Sequence, residues 1–213
     1  RFASQIESGL KGNLAPWRAT PDGAVAEIIV LDQFTRNSFR DTPRAFAGDA
    51  RALEAAKTLV ANGADRALPG VRRQFVYLPF EHSESLAMQD ESLRLFRGLA
   101  DAHPALEGVY GYAVAHHKVI AEFGRFPHRN AVLGRTTTAD EQAFLDGGGF
   151  AAGRDAGAMG TAFVGIDLEV RPDRALRAGL DAGRRAAAVD AVHAQRAALD
   201  AALAARHFGV LVG

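Results

Sequence analysis

The sequence predicts an all-α protein made of antiparallel helix pairs, and two observations lead to this prediction. Apolar residues recur three and four positions apart through most of residues 25–145, which is the spacing of a helix that buries one face. Short polar stretches with proline or glycine separate these segments, where helices normally begin and end. Helices joined by such short turns pack antiparallel, as in a bundle or a solenoid.

The first two helices are predicted from their apolar spacing and their ends. The first begins at Val25, where Ile28 and Ile29 continue a buried face. The second starts near Pro43, a favourable first-turn residue, and stops at Gly63. Its apolar face comprises Phe46, Ala50, Leu53, Ala56 and Val60.

Three further helices complete the predicted helical part. Two long ones cover residues 83–102 and the stretch from Pro104 to Phe123. A short one runs from Thr138 to Leu145. Thr138 with Glu141 fits a capping box, in which each side chain bonds the backbone N–H of the other residue.

Composition and charge exclude several classes of protein. The chain has 213 residues, with 25 Lys and Arg against 25 Asp and Glu, so no net positive charge favours nucleic acid or a membrane surface. The absence of cysteine excludes disulfides, thiolate metal sites and a cysteine nucleophile. It fits a reducing compartment, and we expect a cytoplasmic protein. No apolar run reaches the roughly 20 residues that a membrane-spanning helix needs.

A composition change near the three glycines 147–149 predicts a domain boundary. We expect a helical domain over residues 1–150. We expect a Gly/Ala-rich linker over residues 151–213, with an extension or a truncated second domain. Strands at 162–170 and 208–212 and helices at 172–183 and 184–206 are predicted there, although an Ala-rich helical extension fits nearly as well. Because the chain begins with Arg1 rather than Met, we expect it to be a fragment.

Polar residues occupy expected core positions in the segment Ile28–Arg44. Asp32 and Arg36 are four residues apart on the buried face of a helix, so they are neighbours. A buried carboxylate and guanidinium must be paired or hydrogen-bonded. The pair is either an internal ion pair that fixes helix packing or the wall of a polar pocket, to which Arg40 adds a cation.

A second polar segment, Tyr77–Gln89, contains Glu81 and His82. Pro79 restricts the backbone before it, and Ser83 or Ser85 is expected to cap the helix that follows. Glu81, His82 and Glu84 would then lie at the N-terminus of that helix. A carboxylate beside a histidine forms an acid–base pair, or the acidic residues only complement the helix dipole.

The third segment joins a helix to a compact loop. His116 lies on an apolar helix face, where a histidine is more often a core residue than a ligand. The loop after Gly124 offers several hydrogen-bond donors, which suit a carboxylate or a phosphate. They are Arg125, His128, Arg129 and Asn130. Alternatively, the loop is held in place by its own hydrogen bonds to neighbouring helices.

Three motifs carry a family resemblance. LDQFTRNSFRDTPRAFAGD, FVYLPFEHSESLAMQ and HHKVIAEFGRFPHRNAVLGR, in this order and spacing, resemble the mostly bacterial domain-of-unknown-function family 924 over residues 1–150. The family motif LDQFPRN has proline where this chain has Thr35, and Asp32, Gln33, Arg36 and Asn37 match it. Family members usually begin with an additional aromatic-rich segment. The resemblance implies a tetratricopeptide-like helical fold and no established activity.

The favoured functional hypothesis is a protein that binds a small anionic molecule in an Arg/His/Glu cleft, with hydrolase-type acid–base chemistry. The expected ligand-binding residues are Asp32, Arg36, Asn37, Arg40, His116, Arg125, His128, Arg129 and Asn130, and the expected catalytic residues are Glu81 and His82. The alternative is a non-enzymatic scaffold that binds a peptide or protein. His82, His116 and His128 with Glu81 are zinc-binding residue types, but their wide spacing predicts no geometry, so no metal or cofactor is assigned.

Overall fold

The computed structural model describes residues 2–149, and helices account for most of them, with no strand among them. The helices are α1 (Ala3–Leu10), α2 (Pro21–Ile29), α3 (Thr35–Ser38), α4 (Asp49–Ala61), α5 (Gly70–Glu81), α6 (Leu86–Ala102), α7 (Glu107–Phe123) and α8 (Ala139–Asp146). The predicted helical class is therefore confirmed for this part of the chain. The strands and helices predicted beyond residue 150 lie outside the described residues, and the tetratricopeptide-like grouping stays a prediction.

Helix α2 lies in the centre of the fold. Thr20 caps it, because its hydroxyl accepts the backbone N–H of Gly23 at 3.1 Å, and Pro21 occupies its first turn. Every residue from Gly23 to Ile29 is buried, so neighbouring helices cover α2 on all sides. The segment that continues α2 therefore enters the interior of the protein.

The main hydrophobic core joins α2 to α4, α5, α6 and α7. Its largest fully buried side chains include Ile28 of α2, Leu78 of α5, and Phe96 and Leu99 of α6. Tyr77 packs edge-on against Phe96, with ring centroids 5.6 Å apart. This packing fixes the end of α5 relative to α2, which is where the polar residues of two motifs meet.

The predicted start of the second helix is wrong. Pro43 opens a short 3-10 turn, Pro43–Phe46, and α4 begins only at Asp49. The predicted end at Gly63 is confirmed, since Gly63 has the positive φ of 71° that glycine adopts without strain. The later start places Asp49, rather than Pro43, in the first turn of α4.

The predicted position of Glu81 and His82 at the start of a helix is also wrong. Pro79 lies inside α5, so Glu81 is the last residue of that helix and His82 caps its C-terminus, instead of both opening the next helix. A proline inside a helix removes one backbone hydrogen bond. Here the buried run from Phe75 to Glu81 outweighs that loss. Ser85 takes the N-cap position of α6, but its side chain makes no capping bond.

Other predicted features of the helical part are confirmed. The capping box of Thr138 and Glu141 is present at the start of α8. Gly124 ends α7 with a φ of 69°. Two helices were not predicted, namely α1 and α5. The apolar spacing of α1 is short, and most of the apolar residues of α5 lie together in its second half, from Phe75 to Phe80, rather than in a stripe along the helix.

Candidate functional site

Asp32 lies in a π-helical segment, Val30–Phe34, that joins α2 to α3 without a break. A π turn inside a helix is rare and occurs frequently at functional sites. The hydroxyl of Thr35 donates to the carbonyl of Leu31 at 2.5 Å, which satisfies a backbone group that the wide turn would otherwise expose. Thr35 stands where the motif LDQFPRN has proline, a residue that has no N–H to donate at this point.

The Asp32 carboxylate is buried, with 1% of the residue exposed, and is surrounded by donors. Its Oδ1 lies 2.7 Å from Nδ1 of His82 and 2.9 Å from Nη1 of Arg36. Its Oδ2 accepts the side-chain amide of Gln33 at 2.5 Å. Burial by itself raises the pKa of Asp32, but Arg36, His82 and Gln33 together outweigh burial and hold that pKa below its ordinary value. Asp32 is therefore ionised at neutral pH.

Arg36 links Asp32 to the start of α4. Its guanidinium donates to both carboxylate oxygens of Asp49, at 2.7 and 3.0 Å, in the planar two-bond geometry that arginine favours. Gly48 allows this approach, since a Cβ on Gly48 would lie 2.1 Å from the carbonyl oxygen of Leu31. The ion pair between Asp32 and Arg36 expected from their spacing is thus present, and Asp49 extends it.

His82 brings α5 to this centre. Asp32 is ionised, so Nδ1 of His82 carries the hydrogen that faces it, and the basic nitrogen of the neutral ring is Nε2. Among the described residues, no protein group hydrogen-bonds Nε2. We call Asp32, Arg36, Asp49 and His82 the cavity centre.

A cavity of about 370 Å³ lies beside the cavity centre. Its size is that of a small-molecule site. It is lined by Asp32, Phe46, Asp49, Ala50, Leu53, Pro79, His82, Ser83, Glu84, Arg129 and Leu133. The wall therefore combines apolar residues with polar ones, which include His82 and three residues that bear carboxylates, Asp32, Asp49 and Glu84.

Arg129 is the arginine of the cavity wall. Its guanidinium lies between two aromatic rings, 4.7 Å from the centroid of Phe46 and 4.4 Å from that of Phe126. It donates to the backbone carbonyl of His82 at 3.1 Å and lies 3.7 Å from the Asp49 carboxylate. Stacking and hydrogen bonding hold this arginine against the His82 backbone, which fixes the loop to the end of α5.

Glu81 and His116 form a buried pair next to His82. Oε1 of Glu81 lies 3.1 Å from Nδ1 of His116, and that nitrogen also lies 2.9 Å from the backbone carbonyl oxygen of Tyr112. A carbonyl only accepts hydrogen bonds, so Nδ1 of His116 carries the hydrogen. Neither Glu81 nor His116 lines the cavity, whereas His82 does. Of the two catalytic candidates, only His82 therefore reaches the cavity.

The loop after α7 is held by a second set of ion pairs. Arg125 donates to Glu141 at 2.5 and 2.8 Å, and the amide of Asn130 donates to the same carboxylate at 3.1 Å. Arg125, rather than burial, dominates the shift that lowers the pKa of Glu141 to about 2, together with the backbone N–H of Thr138. We call Arg125, Asn130, Thr138 and Glu141 the loop cluster.

A third ion pair attaches the loop to the residues after α5. Arg135 donates to both oxygens of Glu84, at 2.7 and 3.0 Å, and the backbone N–H of Phe126 donates to Glu84 at 2.8 Å. Burial by itself raises the pKa of Glu84, but the hydrogen bonds from Arg135 and Phe126 outweigh burial and hold that pKa below its ordinary value. Because Glu84 lines the cavity, this ion pair couples the loop to the cavity wall.

Several predicted site residues lie away from the cavity. Asn37 and Arg40 are exposed and hydrogen-bond each other at 3.3 Å. His128 packs beside Phe126, with ring centroids 5.6 Å apart. Neither these residues nor Arg125 and Asn130 line the cavity. The three motifs meet in space, but only three of the predicted site residues line the cavity, namely Asp32, His82 and Arg129.

Sequence reasoning missed three polar residues of the cavity wall, Asp49, Ser83 and Glu84. Asp49 closes the first motif, FAGD, and the wrong helix start concealed its place in the first turn of α4. Glu84 was noted only as a residue that complements a helix dipole. Its pairing with Arg135, 51 residues away, has no local signal.

The fold and the site together define an all-helical domain with a buried Asp–His pair at a cavity. The chain belongs to the family described as "Bacterial protein of unknown function (DUF924)", whose model matches residues 1–149. This confirms the resemblance carried by the three motifs. The chain is also similar to a solved structure, the protein of unknown function ATU0120 from Agrobacterium tumefaciens, at 35% identity and a TM-score of 0.64. The similarity covers 70% of this chain and 81% of that one. A comparison with curated proteins found no match.

Within residues 2–149, none of the helices combines the length and the apolar character that a bilayer crossing requires.

Proposed function

We propose that this protein binds a small polar molecule in the cavity beside His82 and hydrolyses it by acid–base chemistry. One observation carries the proposal, namely that His82 lies in the wall of a 370 Å³ cavity while its Nδ1 is held 2.7 Å from the buried Asp32 carboxylate. A carboxylate in this position fixes the tautomer and the orientation of the ring and stabilises the imidazolium that forms on protonation.

The proposed reaction uses Nε2 of His82 as the proton acceptor. A water molecule in the cavity gives its proton to Nε2 as its oxygen attacks the ligand, and His82 then returns the proton to the leaving group. Asp32 stays ionised throughout, because Arg36 and Gln33 lower its pKa. Glu81 takes no part in this proton transfer, since its carboxylate contacts His116 and does not line the cavity.

The charges in the wall favour a ligand with at most one anionic group. The carboxylates of Asp49 and Glu84 already hold Arg36 and Arg135 in two-bond ion pairs, so these arginines would have to give up strong contacts to hold a ligand. Arg129 is the cation that lines the cavity. The cavity therefore supports the anionic ligand expected from the sequence only if the ligand carries a single anionic group that contacts Arg129.

The test is a hydrolysis assay with p-nitrophenyl acetate, p-nitrophenyl phosphate and a p-nitroanilide as probes. We expect the full chain to hydrolyse at least one probe above the rate in buffer, and His82→Gln to lower that rate by about 10²-fold or more, since general base catalysis contributes about 10²–10⁴-fold. His117→Gln is the matched control, because His117 is a partly exposed histidine that pairs with Asp90 at 2.8 Å.

Two results would contradict the proposal. One is that no probe is hydrolysed above the buffer rate, and the other is that His82→Gln hydrolyses every probe at the wild-type rate. Either result would favour the alternative of a non-enzymatic scaffold, in which the buried polar residues only fix the geometry between helices.

A further inference from the structure

Glu81, His82 and His116 form a buried cluster whose potential ligand atoms all lie within 4.8 Å of one another. Each residue is at most 5% exposed. The geometry points to a binding site for one divalent transition metal ion, zinc in the first place, held by these three side chains, of which His82 also lines the cavity. The sequence alone assigned no metal, because the spacing of these residues predicts no geometry.

The hydrogen bonds around the two histidines are those that accompany metal ligation. A metal-bound histidine almost always donates its other ring N–H to a carboxylate or a backbone carbonyl, which fixes the ring. Nδ1 of His82 is held by Asp32 at 2.7 Å, and Nδ1 of His116 by the carbonyl of Tyr112 at 2.9 Å. In both neutral rings the basic nitrogen is then Nε2, the form that binds a metal.

The ligand set fits zinc. Two histidines and one glutamate with an open fourth position are a known arrangement for catalytic zinc sites. Bonds of about 2.0–2.2 Å place tetrahedral ligand atoms roughly 3.4 Å apart. The three groups lie within 4.8 Å of one another, and the Glu81 carboxylate, whose Oε1 lies 3.1 Å from Nδ1 of His116, would turn towards the ion. The chain has no cysteine to compete for the ion, and imidazole with carboxylate suits zinc, cobalt and nickel.

The site goes beyond the proposed function and shares with it only the cavity wall to which His82 belongs. His82 lines the cavity, so an ion held by His82 would present its open position there. Such an ion would supply Lewis-acid chemistry, because zinc lowers the pKa of a bound water to about 7. When the ion is bound, Nε2 of His82 is a ligand, and the role of proton acceptor no longer falls to it.

The test is metal binding by the full chain after removal of metal with a chelator. Titration calorimetry with zinc chloride and elemental analysis are expected to show one tightly bound ion per chain. His116→Gln and Glu81→Gln should each weaken binding by more than 100-fold, and His117→Gln should leave it unchanged. Asp32→Asn removes the charge that faces Nδ1 of His82 but none of the three ligands, so in the folded variant binding should weaken by about 10–100-fold.

Cobalt gives a second readout that does not depend on the variants folding. Co²⁺ added to the wild-type chain should give the intense visible absorption of a four- or five-coordinate site, and zinc should abolish it. The inference is overturned if the wild-type chain binds neither ion, or if folded His116→Gln and Glu81→Gln bind zinc as the wild type does. If the wild type binds no ion but His82→Gln still abolishes hydrolysis, the metal site fails while the proposed function stands.

Discussion

The cavity centre and the loop cluster are both built from arginines and carboxylates, yet they differ in what they leave available for chemistry. In the loop cluster, the carboxylate of Glu141 accepts hydrogen bonds from Arg125, from Asn130 and from the backbone N–H of Thr138. In the cavity centre, Asp32 contacts one nitrogen of His82, and His82 is also a residue of the cavity wall. An arginine-rich motif therefore indicates a functional site only when its ion pairs position a group that faces an open space.

The two clusters also differ in the sequence distance that they bridge. Contacts in the loop cluster join residues between 3 and 16 positions apart, whereas Asp32 and His82 are 50 positions apart. The loop cluster forms from one stretch of chain, and it can be disrupted without unpacking the core. The cavity centre exists only when α2 and α5 are packed together, so it should be coupled to global stability.

The largest expected effect is that of Asp32→Asn on the cavity centre. The change leaves Arg36 buried with one carboxylate fewer and removes the charge that faces His82, so unfolding should require about 3–5 kcal/mol less free energy, as for a broken buried pair. Urea denaturation followed by circular dichroism measures it. Asp90→Asn is the control, since Asp90 is exposed, and a similar loss in both variants would contradict the coupling.

Gly48→Ala tests the close approach that brings Asp49 to Arg36. The added Cβ would meet the Leu31 carbonyl oxygen at 2.1 Å, so the start of α4 must shift, at a loss of roughly 1–3 kcal/mol in the free energy of unfolding. Gly98→Ala is the matched control. Gly98 lies in α6 with no atom within 4 Å of an added Cβ, so alanine there should stabilise the protein by up to about 1 kcal/mol.

For these two glycine variants, the sign of the change is the informative result. Opposite signs in urea denaturation would show that contact with the π-helical segment decides the effect at Gly48. Equal stabilisation of both variants would show that α4 can move away from Leu31 without loss.

Thr138→Ala should weaken the loop cluster by about 1 kcal/mol, because it removes the side-chain cap of α8. Hydrogen exchange should show faster opening of α8, with α2 and α5 unchanged. Thr136→Ala serves as the control, since Thr136 is exposed. Equally faster exchange in α5 would contradict the view that the loop cluster opens independently of the core.

The smallest expected effect is the pH dependence contributed by Glu141. Its pKa is lowered from 4.5 to about 2, so the ionised form is favoured in the folded chain. The stabilisation is therefore fully present above about pH 4.5 and is lost as the pH falls towards 2. The ¹³C NMR signal of the Glu141 carboxyl group should titrate with a midpoint near 2. In Thr138→Ala, which loses part of the cluster, the midpoint should rise, and a midpoint near 4.5 in the wild type would contradict the ion pair with Arg125.

Local interactions account for what could be predicted from the sequence. The capping box of Thr138 and Glu141 and the helix end at Gly63 depend on residues a few positions apart, and both predictions are confirmed. The Asp32–Arg36 pair also follows from the helical spacing of four residues. Glu81 and His82 were wrongly placed at a helix start, because burial of α5 against other helices outweighs the local tendency of Pro79 to interrupt a helix.

The sequence by itself determined the helical class and placed Asp32 and Arg36 on one buried helix face, because helical spacing and capping are set within a few residues of each position. The tertiary structure alone decided which polar residues meet. It joined His82 to Asp32 and brought His116 beside Glu81. It also left Arg40 exposed at the surface. These outcomes depend on how helices far apart in the chain pack, and that packing is decided by the whole hydrophobic core rather than by any local pattern.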